Sequence, residues 1–110
     1  MTLLASAAPK LLAEIRSALS AAGYETTASQ LEAGTIGRCT YDDSVEAGYV
    51  YLVRPEPSPH LAKLAAPVAK TLPFLEVGFN VDIDHDGNIF GVEFLDRPDF
   101  VSELRYANVL

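Results

Sequence analysis

The segment from residue 82 to residue 93 constrains the fold of this chain most strongly. It reads D-I-D-H-D-G-N-I-F-G-V-E, which fits the calcium-loop pattern D-x-D-x-D-G followed by five residues and a glutamate. An EF-hand needs a helix on each side of such a loop, but here every second flanking residue is apolar, which is the period of a strand. The alternating apolar residues are Phe79, Val81 and Ile83 on one side and Phe90, Val92 and Phe94 on the other. The segment therefore predicts a β-hairpin.

The dipeptide Asp86-Gly87 places the turn of this hairpin, because Asp-Gly is a strong short-range signal for a two-residue turn. Such a turn sets His85 opposite Asn88 and fixes every pair above it. The predicted pairs are Ile83 with Phe90, Val81 with Val92, and Phe79 with Phe94. These apolar pairs share one face. The opposite face would carry Asn80, Asp82, Asp84, Ile89, Gly91 and Glu93.

Four acidic residues of the segment are candidate ligands for an ion, namely Asp82, Asp84, Asp86 and Glu93. In an extended strand Asp82 and Asp86 lie roughly 13 Å apart at about 3.3 Å per residue, whereas calcium ligands lie about 2.3 to 2.6 Å from the ion. We therefore interpret the acidic turn as solvated surface and predict no metal and no cofactor. Calcium binding through these residues is the alternative.

Composition limits the size of the core and the kind of partner. The chain has 110 residues, of which 49% are hydrophobic, enough for one modest core and a single domain over residues 1–110. Acids outnumber bases 15 to 8, the formal net charge is −7, and no Lys/Arg run occurs. We expect a basic protein partner and no nucleic acid. The single cysteine excludes an internal disulfide and suits a reducing compartment, so we expect a cytoplasmic protein.

Helices are predicted at both ends of the chain. Leu11, Ile15 and Leu19 form an apolar stripe at helical spacing, Pro9 suits the first turn, and Gly23 is placed to end it. Lys10, Glu14 and Arg16 interrupt the apolar stretch, so we predict neither a signal peptide nor a membrane span. A second helix is predicted over Thr27–Ala33, capped by Thr26 or Thr27, and a C-terminal helix over Pro98–Tyr106.

A second hairpin is predicted from Ile36–Tyr41 and Tyr49–Val53, two β-branched and aromatic runs around a polar loop. In the second run tyrosines alternate with Val50 and Leu52, and apolar residues on both faces are typical of a central strand. Between residues 54 and 78 the pattern leaves the structure open, with a short helix at Leu61–Ala66 and a strand at Val68–Leu72 or Phe74–Val77 as the candidates.

Together these elements predict an α+β fold, in which an N-terminal helix packs on a small antiparallel sheet of hairpins and a short C-terminal helix follows. The helical N-terminal part covers residues 1–34, the antiparallel β part residues 35–96, and the C-terminal helix residues 97–110.

Two stretches carry a resemblance to a known family. Y-D-D-S-V-E-A-G-Y-V-Y-L and V-D-I-D-H-D-G-N-I-F-G-V-E-F-L resemble the two halves of the small bacterial and phage proteins of the domain-of-unknown-function 2283 family. The matching positions are Tyr41, Asp42, Tyr49, Val50, Leu52, Val81, Asp82, Asp84, Gly87, Gly91, Val92, Glu93, Phe94 and Leu95. Glu46 stands where the family usually has Asp, and the segment between the halves is longer than usual. The resemblance implies a small antiparallel β-rich fold of bacterial or phage origin, and it implies no activity.

Residues with catalytic chemistry are few. Cys39 lies on a predicted strand and is interpreted as a buried thiol, while His60 and His85 are scattered in loops. The chain has no nucleophile elbow, P-loop, dinucleotide fingerprint or H-E-x-x-H helix.

Two functional hypotheses remain. The first, which we favour, is a small non-catalytic interaction module, antitoxin-like or inhibitor-like, whose homodimer forms through Tyr49 and Tyr51. Its candidate acidic interaction surface consists of Asp42, Asp43, Glu46, Asp82, Asp84, Asp86 and Glu93. The alternative is a small metal-dependent hydrolase or a calcium-binding protein that uses the face of Asp82, Asp84 and Glu93.

Overall fold

A computed structural model describes residues 2–55 and 67–110, and within them it contains four helices and one six-stranded antiparallel sheet. The strands are β1 (Thr2–Leu3), β2 (Thr35–Asp42), β3 (Ala47–Leu52), β4 (Val68–Phe74), β5 (Phe79–Asp84) and β6 (Ile89–Leu95). The helices are α1 (Leu4–Ala7), α2 (Pro9–Ala21), α3 (Glu25–Glu32) and α4 (Pro98–Tyr106). The strand order is β1-β2-β3-β6-β5-β4. The predicted α+β class is confirmed.

The helices cover one face of the sheet. Alternate residues of the strands, such as Val50, Val81 and Val92, are buried in a single core with the apolar stripes of the helices. We call this side the core face. Because the buried residues of all four described helices belong to this one core, the described part of the chain leaves the other side of the sheet without a helix. We call that side the open face; its main residues are Arg38, Thr40, Tyr49, Tyr51, Thr71, Asn80, Asp82, Phe90, Gly91 and Glu93.

Several predicted elements are confirmed. α2 begins at Pro9, its stripe residues Leu11, Ile15 and Leu19 are buried, and Gly23 has a φ of 89° just after the helix. α4 has the predicted bounds, and β3 is a central strand between β2 and β6. A strand at 68–74 resolves the choice left open there, while the short helix expected at 61–66 lies outside the described residues.

Other elements differ from the prediction at the N-terminal side. α3 starts at Glu25 with Tyr24 at its N-cap, and no side chain caps it, so the predicted threonine cap was wrong. β1 and α1 were not predicted. They bury Leu4 completely and bring the chain start beside Thr35 and Ile36 of β2.

The register of the β5–β6 hairpin corrects one predicted pair. Val81 lies opposite Val92, as predicted, but Ile83 lies opposite Ile89 and not opposite Phe90. The turn has three residues, because the amide of Asp84 donates to the carbonyl of Asn88 at 2.8 Å. A three-residue turn shifts one strand by one position, and a bulge at Phe90 absorbs this shift. The bulge exchanges the predicted faces: Ile89 is buried in the core and Phe90 lies on the open face.

Contacts between distant residues fix α4 on the core. The carboxylate of Glu103 accepts hydrogen bonds from the backbone amides of Lys10 and Leu11 at 2.8 and 3.0 Å, so α4 caps the N-terminus of α2. The ring of Phe100 meets Phe94 of β6 edge-on, with centroids 5.7 Å apart. Among the described helices none combines the length and the apolar character that a bilayer crossing needs.

Candidate functional site

The open face carries a group of three aromatic side chains, Tyr49 and Tyr51 from β3 and Phe90 from β6. Ring centroids lie 4.4 Å apart for the two tyrosines, 5.8 Å for Tyr51 and Phe90, and 6.3 Å for Tyr49 and Phe90. We call this group the aromatic cluster. Each member is half-buried, so part of every ring remains available on the surface.

Two structural features create the cluster. The bulge in β6 turns Phe90 to the open face, where the strict alternation of a strand would have sent it to the core. Gly91, the next residue, leaves room for the ring of Tyr49, because a Cβ at position 91 would overlap that ring. An aromatic ring over a cross-strand glycine protects the backbone where no side chain can do so.

Two arginines flank the aromatic cluster. The guanidinium of Arg38 lies 4.2 Å from the ring centroid of Tyr51, and that of Arg54 lies 4.8 Å from the ring centroid of Phe90. Both distances are typical of cation–π contacts. The open face therefore presents aromatic and guanidinium groups side by side.

Next to the aromatic cluster, Asp82 forms hydrogen bonds with side chains of two other strands, β3 and β4. Its two carboxylate oxygens accept hydrogen bonds from the hydroxyls of Tyr49 and Thr71, each at 2.6 Å. Burial, followed by the hydrogen bond to Asp82, raises the pKa of Tyr49 well above its usual value. On the neighbouring pair, the amide nitrogen of Asn80 donates to Glu93 at 3.3 Å.

Asp84 organises the turn between β5 and β6. It is only 4% exposed, and its Oδ1 accepts the backbone amides of Asp86 and Asn88, both at 2.9 Å. Its Oδ2 pairs with the guanidinium of Arg54 at 2.9 Å. Because Arg54 also lies over Phe90, this ion pair joins the turn to the aromatic cluster.

Three of the predicted acidic residues lie at the end of the sheet opposite to the β5–β6 turn. Asp42, Asp43 and Glu46 are exposed in or beside the β2–β3 turn. Asp42 accepts the amide and the hydroxyl of Ser44 at 3.0 and 2.6 Å, and these hydrogen bonds lower the pKa of Asp42. The structure therefore divides the predicted acidic residues among the β2–β3 turn, the open face and the β5–β6 turn.

No group of three or more His, Cys, Asp or Glu side chains within residues 2–55 and 67–110 is arranged to hold a metal ion. The oxygens of Asp82 and Asp84 already accept hydrogen bonds from the chain itself. His85 lies in the β5–β6 turn, and His60 lies outside the described residues. Cys39 is half-buried, and burial raises the pKa of its thiol to about 11, which leaves little thiolate at neutral pH.

Sequence reasoning placed Tyr49 and Tyr51 on one face but missed three other residues of this surface. Phe90 was assigned to the core because a bulge cannot be read from alternation. Arg38 and Arg54 gave no usable signal, since each reaches its aromatic partner across a strand pairing that only the folded sheet creates. Comparison of the chain with protein-family models, with curated proteins and with solved structures finds no match.

Proposed function

We propose that this protein is a non-catalytic protein-binding module and that the open face is its contact surface. The observation that carries the proposal is the aromatic cluster with its two flanking arginines. Tyrosine and arginine are enriched in protein interfaces and account for much of their binding energy, because they combine a large apolar area with polar groups. Here Tyr49, Tyr51 and Arg54 are half-buried and Arg38 is exposed, all on the side of the sheet that the described helices leave uncovered.

The charge of the chain favours a basic protein as the partner. Asp82 and Glu93 lie on the same face as the aromatic cluster, and the formal net charge is −7, so nucleic-acid phosphates would be repelled. A basic protein surface would instead be attracted over a long range. The exposed acids of the β2–β3 turn add to this attraction. An antitoxin-like or inhibitor-like role in a bacterial cytoplasm is a specific form of the proposal.

The hydrolase and calcium-binding alternatives draw no support from the geometry. Asp82, Asp84 and Glu93 each accept hydrogen bonds from different side chains, and they lie along two strands without converging. We expect micromolar calcium to leave the fold unchanged. A stoichiometric dissociation constant below about 10 μM in titration calorimetry, abolished by Glu93→Gln, would restore the calcium-binding alternative.

Photo-crosslinking in the source cells tests the proposal. A photoreactive phenylalanine replaces Tyr51 in one variant and Tyr106 in the other, so both exchange one aromatic ring for another. Tyr106 is a matched control because it is 95% exposed at the end of α4, away from the aromatic cluster. We expect a discrete adduct with a second protein from position 51 and none from position 106, and mass spectrometry of that adduct would identify the partner.

A quantitative measurement then follows with the purified partner. Tyr51→Lys should weaken binding by about tenfold or more, the size of effect expected for a central aromatic residue, while Tyr106→Lys should leave it unchanged. Equal adducts from both positions, or no adduct from position 51 at native expression, would contradict a contact surface on the open face.

A further inference from the structure

Within residues 2–55 and 67–110, the outer edge of β2 has no paired strand over most of its length. β1 pairs only with Thr35 and Ile36, so the stretch from Arg38 to Asp42 has β3 on one side and, among the described residues, no strand on the other. Alternate residues of an edge strand direct their amide and carbonyl groups outward, where another strand can bind them. The residues of this stretch that are exposed to solvent are Arg38, Thr40 and Asp42.

The other edge of the sheet, formed by β4, has features that hinder pairing with another chain, and the free stretch of β2 lacks them. β4 contains Pro73, which has no amide to donate, the exposed Lys70, and a register irregularity between Val68 and Lys70. Proline, lysine and bulges on an edge strand hinder pairing with another chain. The stretch from Arg38 to Asp42 contains none of these features, because the irregularity of β2 lies before it, between Ile36 and Arg38.

The length of the free stretch determines how a second copy would fit. β1 ends the pairing at Ile36 and the β2–β3 turn begins after Asp42, so the midpoint of the free stretch is Thr40. Two copies that pair antiparallel about a two-fold axis therefore place Thr40 opposite itself. The same register sets Arg38 of each copy opposite Asp42 of the other, with both side chains on the open face.

We propose that a second copy of this chain pairs antiparallel with the free edge of β2, with Thr40 on the two-fold axis and two Arg38–Asp42 ion pairs across it. The pairing is self-complementary in hydrogen bonds and in charge, as an interface between identical subunits must be. The hydrogen bonds between Asp42 and Ser44 favour the ionised carboxylate that the ion pair needs.

This dimer differs from the face-to-face dimer expected through Tyr49 and Tyr51. It joins the two six-stranded sheets edge to edge and leaves both aromatic clusters on one continuous open surface. It does not depend on the proposed binding of a different protein, because the β2 edge and the aromatic cluster are separate surfaces.

A charge exchange tests the register. The wild-type chain should sediment with a dimer fraction that rises with concentration. Arg38→Asp and Asp42→Arg each create two like-charge pairs across the axis, so each should raise the dimer dissociation constant about tenfold. The double variant restores opposite charges and should return the dissociation constant close to that of the wild type. Circular dichroism establishes that each variant is folded.

Disulfide trapping provides a second, independent test. Residues opposite each other in an antiparallel pair have Cα atoms about 4.5 to 5.5 Å apart, within the range of a disulfide. In a Cys39→Ser background, Thr40→Cys should form a covalent dimer under mild oxidation. Thr71→Cys, an exposed open-face position on the β4 edge, should not form a covalent dimer. A wild-type chain that stays monomeric, equal crosslinking at both positions, or a folded double charge variant that fails to dimerise would overturn the proposal.

Discussion

On each face of the sheet an aromatic ring packs over a glycine of the neighbouring strand, but the surroundings of the two rings differ. On the core face, the ring of Phe94 in β6 occupies the space above Gly48 of β3, where a Cβ would overlap it. On the open face the roles of the strands are exchanged, and the ring of Tyr49 in β3 occupies the space above Gly91 of β6. Phe94 is completely buried against the helices, whereas Tyr49 is half-buried and ends in a hydroxyl bonded to Asp82.

Under the proposed function, this difference lets one pair of strands contribute to stability through one face and to binding through the other. An apolar ring without polar atoms is well suited to a core that excludes water. A tyrosine keeps part of its ring exposed while its hydroxyl has a fixed partner, so its orientation is set before any partner protein arrives. The core face should therefore dominate the free energy of unfolding, and the open face should contribute less to stability than to binding.

The largest expected effect tests this division directly. Phe94→Ala should lower the free energy of unfolding by about 3 to 5 kcal/mol, because it leaves a cavity between β3, β6 and α4. Phe90→Ala removes a ring of the same size from the half-exposed cluster and should cost only about 1 kcal/mol. Urea denaturation of both variants provides the measurement. Equal losses would mean that Phe90 contributes to the core as much as Phe94 does, so that the two faces do not differ in their contribution to stability.

The second effect concerns the ion pair that links the open face to the β5–β6 turn. Asp84→Ala should cost about 2 to 3 kcal/mol, because two backbone amides and the guanidinium of Arg54 lose their acceptor in a largely buried site. Asp43→Ala, an exposed acid in the β2–β3 turn, is the control and should change stability by less than about 0.5 kcal/mol. Similar losses in thermal or urea unfolding would show that Asp84 has no special role.

The fold class, α2, α4 and the central position of β3 followed from the sequence, because hydrophobic period is a local property. The predictions that were wrong or missing depend on interactions between residues that are distant in the chain. Alternation cannot distinguish a two-residue turn from a three-residue turn with a bulge, and this single offset exchanged the faces of Ile89 and Phe90. The cap of α2 is Glu103, more than 90 residues away in the chain, so no sequence motif near Pro9 predicts it.

The candidate site was predictable to the same extent. Alternation placed Tyr49 and Tyr51 on a shared face, which the structure retains. The predicted acidic surface treated seven acids as one group, whereas strand pairing separates Asp42 from Asp84 by the length of the sheet. Charge in a sequence reports sign and amount, but only the register of the strands determines which charges are neighbours.

The third prediction concerns the backbone of the turn. Gly87 has a φ of 84°, and a Cβ placed there would meet nothing within 4 Å, so any cost of substitution arises from the backbone alone. Gly87→Val should therefore destabilise the protein by about 1 kcal/mol or more, and Gly87→Asn by less, since asparagine tolerates positive φ. Melting temperatures of the two variants check this. An unchanged melting temperature for the valine variant would count against the turn as described.

The smallest effect at neutral pH, and the one most specific to the open face, concerns the hydroxyl of Tyr49. Tyr49→Phe should cost less than about 1 kcal/mol at pH 7, because Asp82 keeps its hydrogen bond from Thr71.

At high pH the ionisation of the same residue should lower the stability of the protein. Burial and Asp82 raise the pKa of Tyr49 in the folded state, so the unfolded state loses this proton first, near its usual pKa of about 10. The stabilising contribution is thus complete below about pH 10 and is lost as pH rises further.

The wild type should lose stability above about pH 10 more steeply than Tyr49→Phe, whereas Tyr106→Phe, which removes an exposed hydroxyl, should follow the wild type. Ultraviolet titration gives an independent reading: the wild type should show a tyrosine ionisation that is delayed until unfolding, and this delayed ionisation should be absent from Tyr49→Phe. If no tyrosine ionisation of the wild type is delayed until unfolding, the hydroxyl of Tyr49 is not held by Asp82, and the open face lacks the fixed orientation on which its proposed role in recognition rests.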